Sequence, residues 1–292
     1  MSIGSSVFQA VFKLLNIKKR VYRDFKNPPR MTRTMDGDKF NRNLDPKIWS
    51  VDGFKLISIN QFNSNNRHLI FLHGGAYVLE ANTFHRKFME TLAKEYGLAI
   101  TFIDYPKAPE STFRTTHDVV RKAYLEIVQK NPGKEFYLVG DSAGGGLGLA
   151  LLQVLRDKGV KPFPKKTVLL SPWLDLTMSN ELIEEYEPKD PLLPVEGLIY
   201  AGKLYSGGED LKNPLLSPIY GDMSNLGVIM LFYGTNEVFY PDCLELTKKI
   251  ASSQGSSVEH ILGKNMMHDW IIFPFKESKK GVMQMAQFLL SD

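Results

Sequence analysis

The sequence predicts an α/β fold in which helices flank a mostly parallel central sheet. Short apolar stretches typical of buried strands alternate along most of the chain with stretches of helical periodicity. Most of these strand stretches are apolar throughout, as expected for a parallel sheet that is covered on both faces. The length of 292 residues allows one large domain of this kind or two small ones.

The predicted elements follow each other along the chain. Strands are predicted at residues 51–62, 67–72, 98–103, 136–139, 166–171, 227–233 and 257–262, the first at a sheet edge. Helices are predicted at 82–96, 115–130, 147–155, 241–253 and from about 276 to 290.

Two segments do not fit this alternation. Residues 1–49 are basic and carry a Pro-Pro pair, and residues 177–226 combine five prolines with an acidic run. We therefore expect a core formed by residues 50–176 and 227–292, with 1–49 and 177–226 outside the sheet.

Composition limits the classes of function. The formal net charge is +4, and no basic stripe is interleaved with aromatic residues, so a nucleic-acid groove is not expected. The single cysteine, Cys243, excludes an intrachain disulfide and fits a reducing compartment, so we expect a cytoplasmic protein. No apolar run approaches the length of a transmembrane helix.

The N-terminal stretch predicts an amphipathic helix, because Phe8, Val11, Phe12 and Leu15 recur at helical spacing. The basic cluster at residues 18–20 follows this stretch, which is the wrong order for a secretory signal. We favour a helix packed on its own protein. The alternative is peripheral attachment to anionic lipid. The oligomeric state is left open, with a homodimer among the alternatives.

Residues 140–144 (GDSAG) fit the pattern G-x-S-x-G between a predicted strand and a predicted helix. In that context the chain turns sharply and presents the hydroxyl of Ser142 as a nucleophile. The two glycines provide room where a Cβ would collide with the neighbouring elements. A merely tight structural turn is the alternative interpretation.

A serine hydroxyl needs a base to accept its proton, and His268 is the best placed of six histidines. It lies just after a predicted strand and before the last helix, where open α/β sheets place their sites. The other histidines fall within strands, in or beside helices, or in a glycine motif: His68, His73, His85, His117 and His260.

For the acid that orients the base, Glu237 directly follows the predicted strand at 227–233 and lies between serine and histidine in the chain. That order, serine then acid then histidine, is typical of α/β-hydrolases. Asp242 and Asp175 stay open as alternatives, since both are near strand ends.

The motif His73-Gly74-Gly75-Ala76 ends an earlier strand. Backbone N–H groups of this loop, together with that of Ala143, would form an oxyanion hole. His73 itself is expected to have a structural role.

The chain resembles the hormone-sensitive-lipase-like group of α/β-hydrolase esterases, also called acetyl-esterase or arylacetamide-deacetylase-like. The resemblance covers roughly residues 50–290 and is carried by four segments: 73–76 (HGGA), 104–110 (DYPKAPE), 140–144 (GDSAG) and 267–270 (MHDW). It implies a small helical cap built from residues 1–49 and 177–226.

For the site, the resemblance implies Ser142 as nucleophile, His268 as base and Glu237 as acid. It places the oxyanion donors on Gly75, Ala76 and Ala143, with Gly74 completing the loop. The chain departs from the family pattern at Ala76, where a third glycine is usual, and at Pro106-Lys107, where Arg-Leu is usual.

We therefore expect a serine carboxylesterase for small short-chain esters that needs no metal or organic cofactor. Amide hydrolysis by a deacetylase, formamidase or small peptidase on the same scaffold is the alternative, because the triad serves both reactions. A non-catalytic ligand-binding protein is disfavoured, since all three triad candidates are present. Tyr77 and Trp173 flank the motifs, and we expect them to line an apolar pocket, with core packing as the alternative.

Overall fold

The computed structural model describes residues 2–30, 35–62 and 66–291. Its eight-stranded sheet has the order β1-β2-β4-β3-β5-β6-β7-β8 and contains β1 (Lys47–Val51), β2 (Phe54–Ile59), β3 (Arg67–Leu72), β4 (Ala99–Ile103), β5 (Glu135–Asp141), β6 (Lys166–Leu170), β7 (Gly227–Asn236) and β8 (Ser256–Met267). Strands β3 to β8 run parallel to one another, whereas β1 and β2 are antiparallel to their neighbours. The predicted mostly parallel α/β sheet is confirmed.

The α-helices within the described ranges are α1 (Ile3–Leu14), α2 (Ile17–Lys26), α3 (Thr83–Tyr96), α4 (Phe113–Lys130), α5 (Ser142–Asp157), α6 (Ile183–Tyr186), α7 (Val195–Ser206), α8 (Tyr240–Ala251) and α9 (Lys276–Leu290). Short 3-10 helices occur at Gly37–Lys39, Arg42–Leu44 and Pro218–Tyr220.

Helices cover both faces of the sheet. Successive side chains of a strand point to opposite faces, so Phe136 and Leu138 of β5 pack with α4, α5 and α8, while Tyr137 and Val139 pack with α3 and α9. Two apolar cores therefore lie one on each side of the sheet. In open α/β sheets the functional site lies outside the carboxyl ends of the parallel strands.

The single edge strand predicted at 51–62 is wrong, because that region is a hairpin of β1 and β2. Asp52 and Gly53 form its two-residue turn with φ values of +49° and +82°. Asp-Gly is a strong hairpin signal, since both central residues of such a turn need positive φ. Strand β1 begins at Lys47, so the sheet takes three residues that the predicted boundary at 50 assigned to the cap.

Helix α5 begins at Ser142, earlier than the predicted start at 147. Its first turn contains Gly144, Gly145 and Gly146, which are poor helix formers. Each of them packs against backbone of another segment so closely that a Cβ would lie within 3.1 Å of it. Tertiary packing thus overrides the low helix propensity of glycine in this turn.

Two helices of the N-terminal segment and two of the insertion lie outside the sheet's covering layers. Helix α2 packs against α7, where the hydroxyl of Tyr22 donates a hydrogen bond of 2.6 Å to Glu196. The division into a core and a cap at the predicted boundaries stays a prediction, and residues 1 and 31–34 of that cap lie outside the described residues. No helix in the described ranges has the length and hydropathy needed to cross a bilayer.

Candidate active site

Ser142 lies at the sharp turn where β5 passes into α5. Its φ of +51° is in the left-handed region, which costs a residue with a Cβ about 1–2 kcal/mol. A Cβ on Gly140 would lie 2.3 Å from the carbonyl oxygen of Gly144, and a Cβ on Gly144 would lie 2.2 Å from that of Leu72. Only glycine fits at these two positions, so the strand–turn–helix predicted around Ser142 is the one that forms.

His268 joins Ser142 to Glu237. It immediately follows β8, and its Nε2 lies 3.0 Å from Ser142 Oγ while its Nδ1 lies 2.7 Å from Glu237 Oε2. The ring of Phe239 packs nearly perpendicular to that of His268, with ring centroids 5.1 Å apart and an interplanar angle of 82°. A carboxylate only accepts hydrogen bonds, so Nδ1 carries a proton. In the neutral ring, the Nε2 lone pair then faces the serine hydroxyl.

The carboxylate of Glu237 is held on both oxygens. It is completely buried, and Oε1 accepts hydrogen bonds from Ser171 Oγ at 2.9 Å and from the backbone N–H of Gly234. The Ser171 hydroxyl in turn accepts the N–H of Asp269 at 3.2 Å. Sequence reasoning missed Ser171, although it directly follows β6 at the same edge of the sheet.

The two alternative acids lie elsewhere. Asp242 is in the first turn of α8, where its Oδ1 accepts a hydrogen bond of 2.8 Å from Asn180, and burial raises the pKa of Asp242 to about 7. Asp175 accepts hydrogen bonds from the N–H of Thr177 at 2.8 Å and the hydroxyl of Tyr220 at 2.9 Å. Neither carboxylate bonds to His268.

The loop after β3 presents backbone N–H groups beside Ser142. The N–H of Gly74 is engaged by Asp141 Oδ2 at 2.9 Å, whereas the N–H groups of Gly75 and Ala76 have no acceptor among the described residues. Gly75 and Ala76 have φ values of +122° and +53°, and both line the same cavity as Ser142. The N–H of Ala143 lies in the first turn of α5, where helical N–H groups lack intrahelical partners.

This loop is fixed through a buried pair that sequence reasoning missed. Asp141 Oδ2 also lies 3.0 Å from His85 Nε2, and the backbone N–H of Asn82 donates to His85 Nδ1 at 2.9 Å. Because Nδ1 accepts, the proton of the ring is on Nε2, which donates to the carboxylate. A Cβ on Gly74 would lie 2.3 Å from the same carboxylate oxygen, so only glycine allows this contact.

A second carboxylate lies at the other nitrogen of the base. Asp269 has a φ of +53°, and its Oδ2 lies 3.0 Å from His268 Nε2. Burial of the imidazole lowers the pKa of His268, but the carboxylates of Asp269 and Glu237 outweigh this and raise that pKa well above its usual range. Burial raises the pKa of Asp269 itself to about 7. Asp269 belongs to the segment 267–270 that carries the family resemblance, but the sequence assigned it no role beside His268.

Ser142 and His268 open into a cavity of about 520 Å³. Its wall is mostly apolar and comes from the N-terminal helices, the insertion, the oxyanion loop and the segment after β8: Phe12, Ile17, Val21, Phe25, Leu79, Leu192, Leu193, Leu198, Ile272 and Phe273. A volume of this size suits a small organic ligand.

Tyr77 and Trp173 do not line this cavity, which corrects the expectation of a pocket role. Both are fully buried in an aromatic stack, with the ring of Tyr77 3.9 Å from that of Tyr205 and 5.7 Å from that of Trp173. The backbone N–H of Trp173 donates to the carbonyl oxygen of Ser142 at 2.8 Å. These aromatic rings therefore belong to the core that supports the turn.

His73 has the structural environment that the sequence predicted. Its ring stacks on Tyr105 with centroids 4.4 Å apart, and its Nδ1–H donates to the carbonyl oxygen of Gly74 at 2.6 Å. The motif at 104–110 thus supports the oxyanion loop through Tyr105. In the described ranges, no group of three His, Cys, Asp or Glu side chains has an arrangement that could hold a metal ion.

Comparisons with known proteins agree with this architecture. The sequence profile of a family described as the alpha/beta hydrolase fold matches residues 69–272. An acetyl-hydrolase of Streptomyces hygroscopicus is 33% identical, with 70% of this chain and 69% of that protein aligned. An esterase of Acinetobacter venetianus is 31% identical over 76% of this chain and 75% of its own length.

Among solved structures, an esterase from the bacterial hormone-sensitive lipase family superposes with a TM-score of 0.80 at 27% identity. The superposition covers 96% of this chain and 97% of that one. The likeness therefore extends beyond the sheet to the N-terminal helices and the insertion.

Proposed function

The chain belongs to the hormone-sensitive-lipase-like group of the α/β-hydrolase fold, and we propose that it hydrolyses small, short-chain acyl esters with Ser142, His268 and Glu237 as its catalytic triad. It is a carboxylic ester hydrolase, as its acetyl-hydrolase and esterase relatives indicate. The observation that carries the proposal is the continuous hydrogen-bonded path from Ser142 Oγ through His268 to Glu237.

In the proposed cycle, His268 Nε2 takes the proton of Ser142 as Oγ attacks the ester carbonyl. The imidazolium then gives this proton to the leaving alcohol, which produces an acyl-enzyme. Water activated by the same nitrogen releases the acid and restores the serine. Glu237 keeps the proton of the neutral ring on Nδ1 and stabilises the imidazolium that forms in each half-reaction.

The negative charge on the carbonyl oxygen would be stabilised by the N–H groups of Gly75, Ala76 and Ala143. The unsatisfied N–H groups of Gly75 and Ala76 support this assignment, since an oxyanion would provide the missing acceptor. Gly74 contributes differently. Its N–H is bonded to Asp141, so we assign it to holding the loop.

The preference for short acyl chains rests on the walls of the cavity. Phe12 of α1 and Phe273 after β8 line it, and their ring centroids are 6.1 Å apart. We expect this aromatic pair to limit how far an acyl chain extends from Ser142. A small ester fits this cavity of about 520 Å³ better than a long-chain glyceride.

The test is hydrolysis of p-nitrophenyl acetate, butyrate, octanoate and laurate, with p-nitroacetanilide as an amide probe. We expect acetate and butyrate to have the highest kcat/KM and the anilide to be hydrolysed slowly. Ser142→Ala should lower kcat by about four to six orders of magnitude, because the covalent step is lost.

Ser224→Ala provides the matched control, since Ser224 lies on a turn and its hydroxyl donates to Asp222. It should retain wild-type rates. Circular dichroism and thermal unfolding should show that both variants are folded. Full activity in Ser142→Ala would refute the triad, and a maximum at laurate would refute the short-chain preference.

A further inference from the structure

Helix α1 carries an apolar face that is open to solvent. Ile3 is 85% exposed, Val7 55%, Val11 41%, Leu14 84%, and Leu15 at the helix end 64%. The first four recur at intervals of three and four residues and thus share one face of the helix. These five residues, called here the apolar face of α1, provide five of the fourteen large apolar side chains that are exposed in the described part of the chain.

The opposite side of α1 is fixed to the protein. The ring of Phe8 lies 5.0 Å from that of Phe275, and Gln9 is buried and donates to the carbonyl oxygen of Asn265 at 3.1 Å. At the start of the helix, the hydroxyl of Ser2 donates to Glu277 at 2.8 Å. The orientation of α1 is therefore set by contacts on one side, and these contacts leave its apolar face outward.

The same region is strongly basic. Residues 1–30 contain seven of the 36 Lys and Arg residues of the chain and one of its 32 acidic residues, whereas the whole chain has a net charge of only +4. Five of these basic residues lie within ion-pair distance of a carboxylate, namely Lys18, Arg20, Arg23, Lys26 and Arg30. Among the described residues, no carboxylate lies that close to Lys13 or Lys19. An exposed apolar helix face next to uncompensated positive charge is typical of segments that lie on anionic bilayers.

We propose that α1 and α2 bind peripherally to an anionic lipid bilayer, with the apolar face of α1 in the boundary between headgroups and acyl chains. Lys13 and Lys19 supply attraction to the headgroups. Charge decides between this partner and a second copy of the chain. Two copies meeting at this surface would bring Lys13 and Lys19 of both chains together, whereas an anionic bilayer complements both these charges and the apolar residues.

The helices proposed to bind the bilayer also form part of the catalytic cavity. Phe12, Ile17 and Val21 come from the same two helices and line the cavity above Ser142. A bilayer bound at α1 would therefore lie beside a wall of that cavity. Small apolar esters partition into membranes, so the protein would work where its substrates concentrate. The binding itself does not depend on the proposed reaction.

The experiment is cosedimentation of the full chain with vesicles of phosphatidylcholine alone and of an equal mixture of phosphatidylcholine and phosphatidylglycerol. We expect binding to the mixed vesicles that weakens with added salt, and much weaker binding to the neutral ones. Ile3→Asp with Leu14→Asp should lower the partition coefficient at least tenfold. Lys13→Glu with Lys19→Glu should lower it by about 25-fold or more, at about fivefold for each lysine charge removed.

Leu125→Asp with Met283→Asp is the matched control, because both residues are exposed apolar side chains on other helices, at 36% and 43%. This control should bind like the wild type. None of the six residues lines the catalytic cavity, so hydrolysis of p-nitrophenyl acetate in solution should be unchanged and shows that each variant is folded.

Wild-type binding that is equal on neutral and anionic vesicles would overturn the proposal. So would binding that survives in both test variants. A dimer in light scattering that dissociates in the Ile3/Leu14 variant, without vesicle binding by the wild type, would assign the apolar face to a second copy instead.

Discussion

The carboxyl edge of the sheet and the helices above it are built in different ways. At the sheet edge, Ser142, Glu237 and His268 each follow directly on a strand, and hydrogen bonds of defined length fix their positions, as for Glu237 between Ser171 and His268. In the N-terminal helices and the insertion, apolar side chains such as Phe12 and Leu198 line a cavity without directional bonds. Catalysis thus depends on positions where few residue types can replace the one present. The pocket depends on the total volume of its apolar side chains, which other apolar residues can provide.

The largest expected effect comes from a substitution at the sheet edge. Glu237→Gln should lower kcat for p-nitrophenyl acetate by about 10³–10⁴, because the amide neither holds the required tautomer of His268 nor stabilises its cation. Asp242→Asn is the matched control, since Asp242 is also a buried carboxylate near the end of β7 but bonds to Asn180. It should keep kcat near the wild-type value. A large loss in Asp242→Asn with little loss in Glu237→Gln would reverse the assignment of the acid.

An intermediate effect concerns the second carboxylate at His268. The reaction needs neutral His268, and Asp269 and Glu237 raise the pKa of His268, so kcat/KM should increase as pH rises through that pKa. Asp269→Asn removes one negative charge 3.0 Å from Nε2, which lowers this pKa and moves the acidic limb to lower pH by about one unit. A pH–rate profile measures the shift. An unmoved limb would mean that Asp269 does not act on the titration of the base.

The smallest expected effect comes from the helices above the sheet. Phe12→Ala should enlarge the cavity and raise the ratio of kcat/KM for octanoate over acetate by about threefold to tenfold, with the acetate rate nearly unchanged. Phe62→Ala serves as control, because Phe62 is 86% exposed and does not line the cavity. If Phe12→Ala reduced acetate hydrolysis as strongly as Glu237→Gln does, the cavity wall would be as critical for the reaction as the sheet edge, and the contrast between the two regions would be wrong.

Local patterns predicted much of the architecture. Strand patterns located seven stretches of the sheet, although the first, at 51–62, was predicted as one strand instead of a hairpin. Strand β3 has the predicted ends, because burial on both faces leaves a continuous apolar signal. The hairpin at Asp52-Gly53 was missed, since its signal is a turn pair inside an otherwise strand-like stretch. Candidate site residues were found where a motif constrains the backbone, as at Ser142, or where strand ends follow one another in a known order.

Side-chain partners across the sheet could not be predicted in the same way. Ser171 bonds to Glu237 because β6 lies beside β7 in the sheet. The spacing of the strands along the chain does not predict which strands are neighbours. The side chain of Asp269 reaches His268 because the backbone of Asp269 has a positive φ. No glycine at or next to this position indicates that conformation in the sequence. Tyr77 and Trp173 flank the motifs in sequence but lie in the core.

The sequence by itself determined the alternation of strands and helices, the glycines that Ser142 requires, and the chain order of nucleophile, acid and base. These features depend on periodicity and backbone geometry, which act between residues that are near in the chain. Only the tertiary structure decided which carboxylate meets His268, which N–H groups stay without an acceptor, and which side of α1 faces solvent. Those outcomes depend on the packing of segments that are distant in sequence, where burial and hydrogen bonding select one partner among several of the same chemical type.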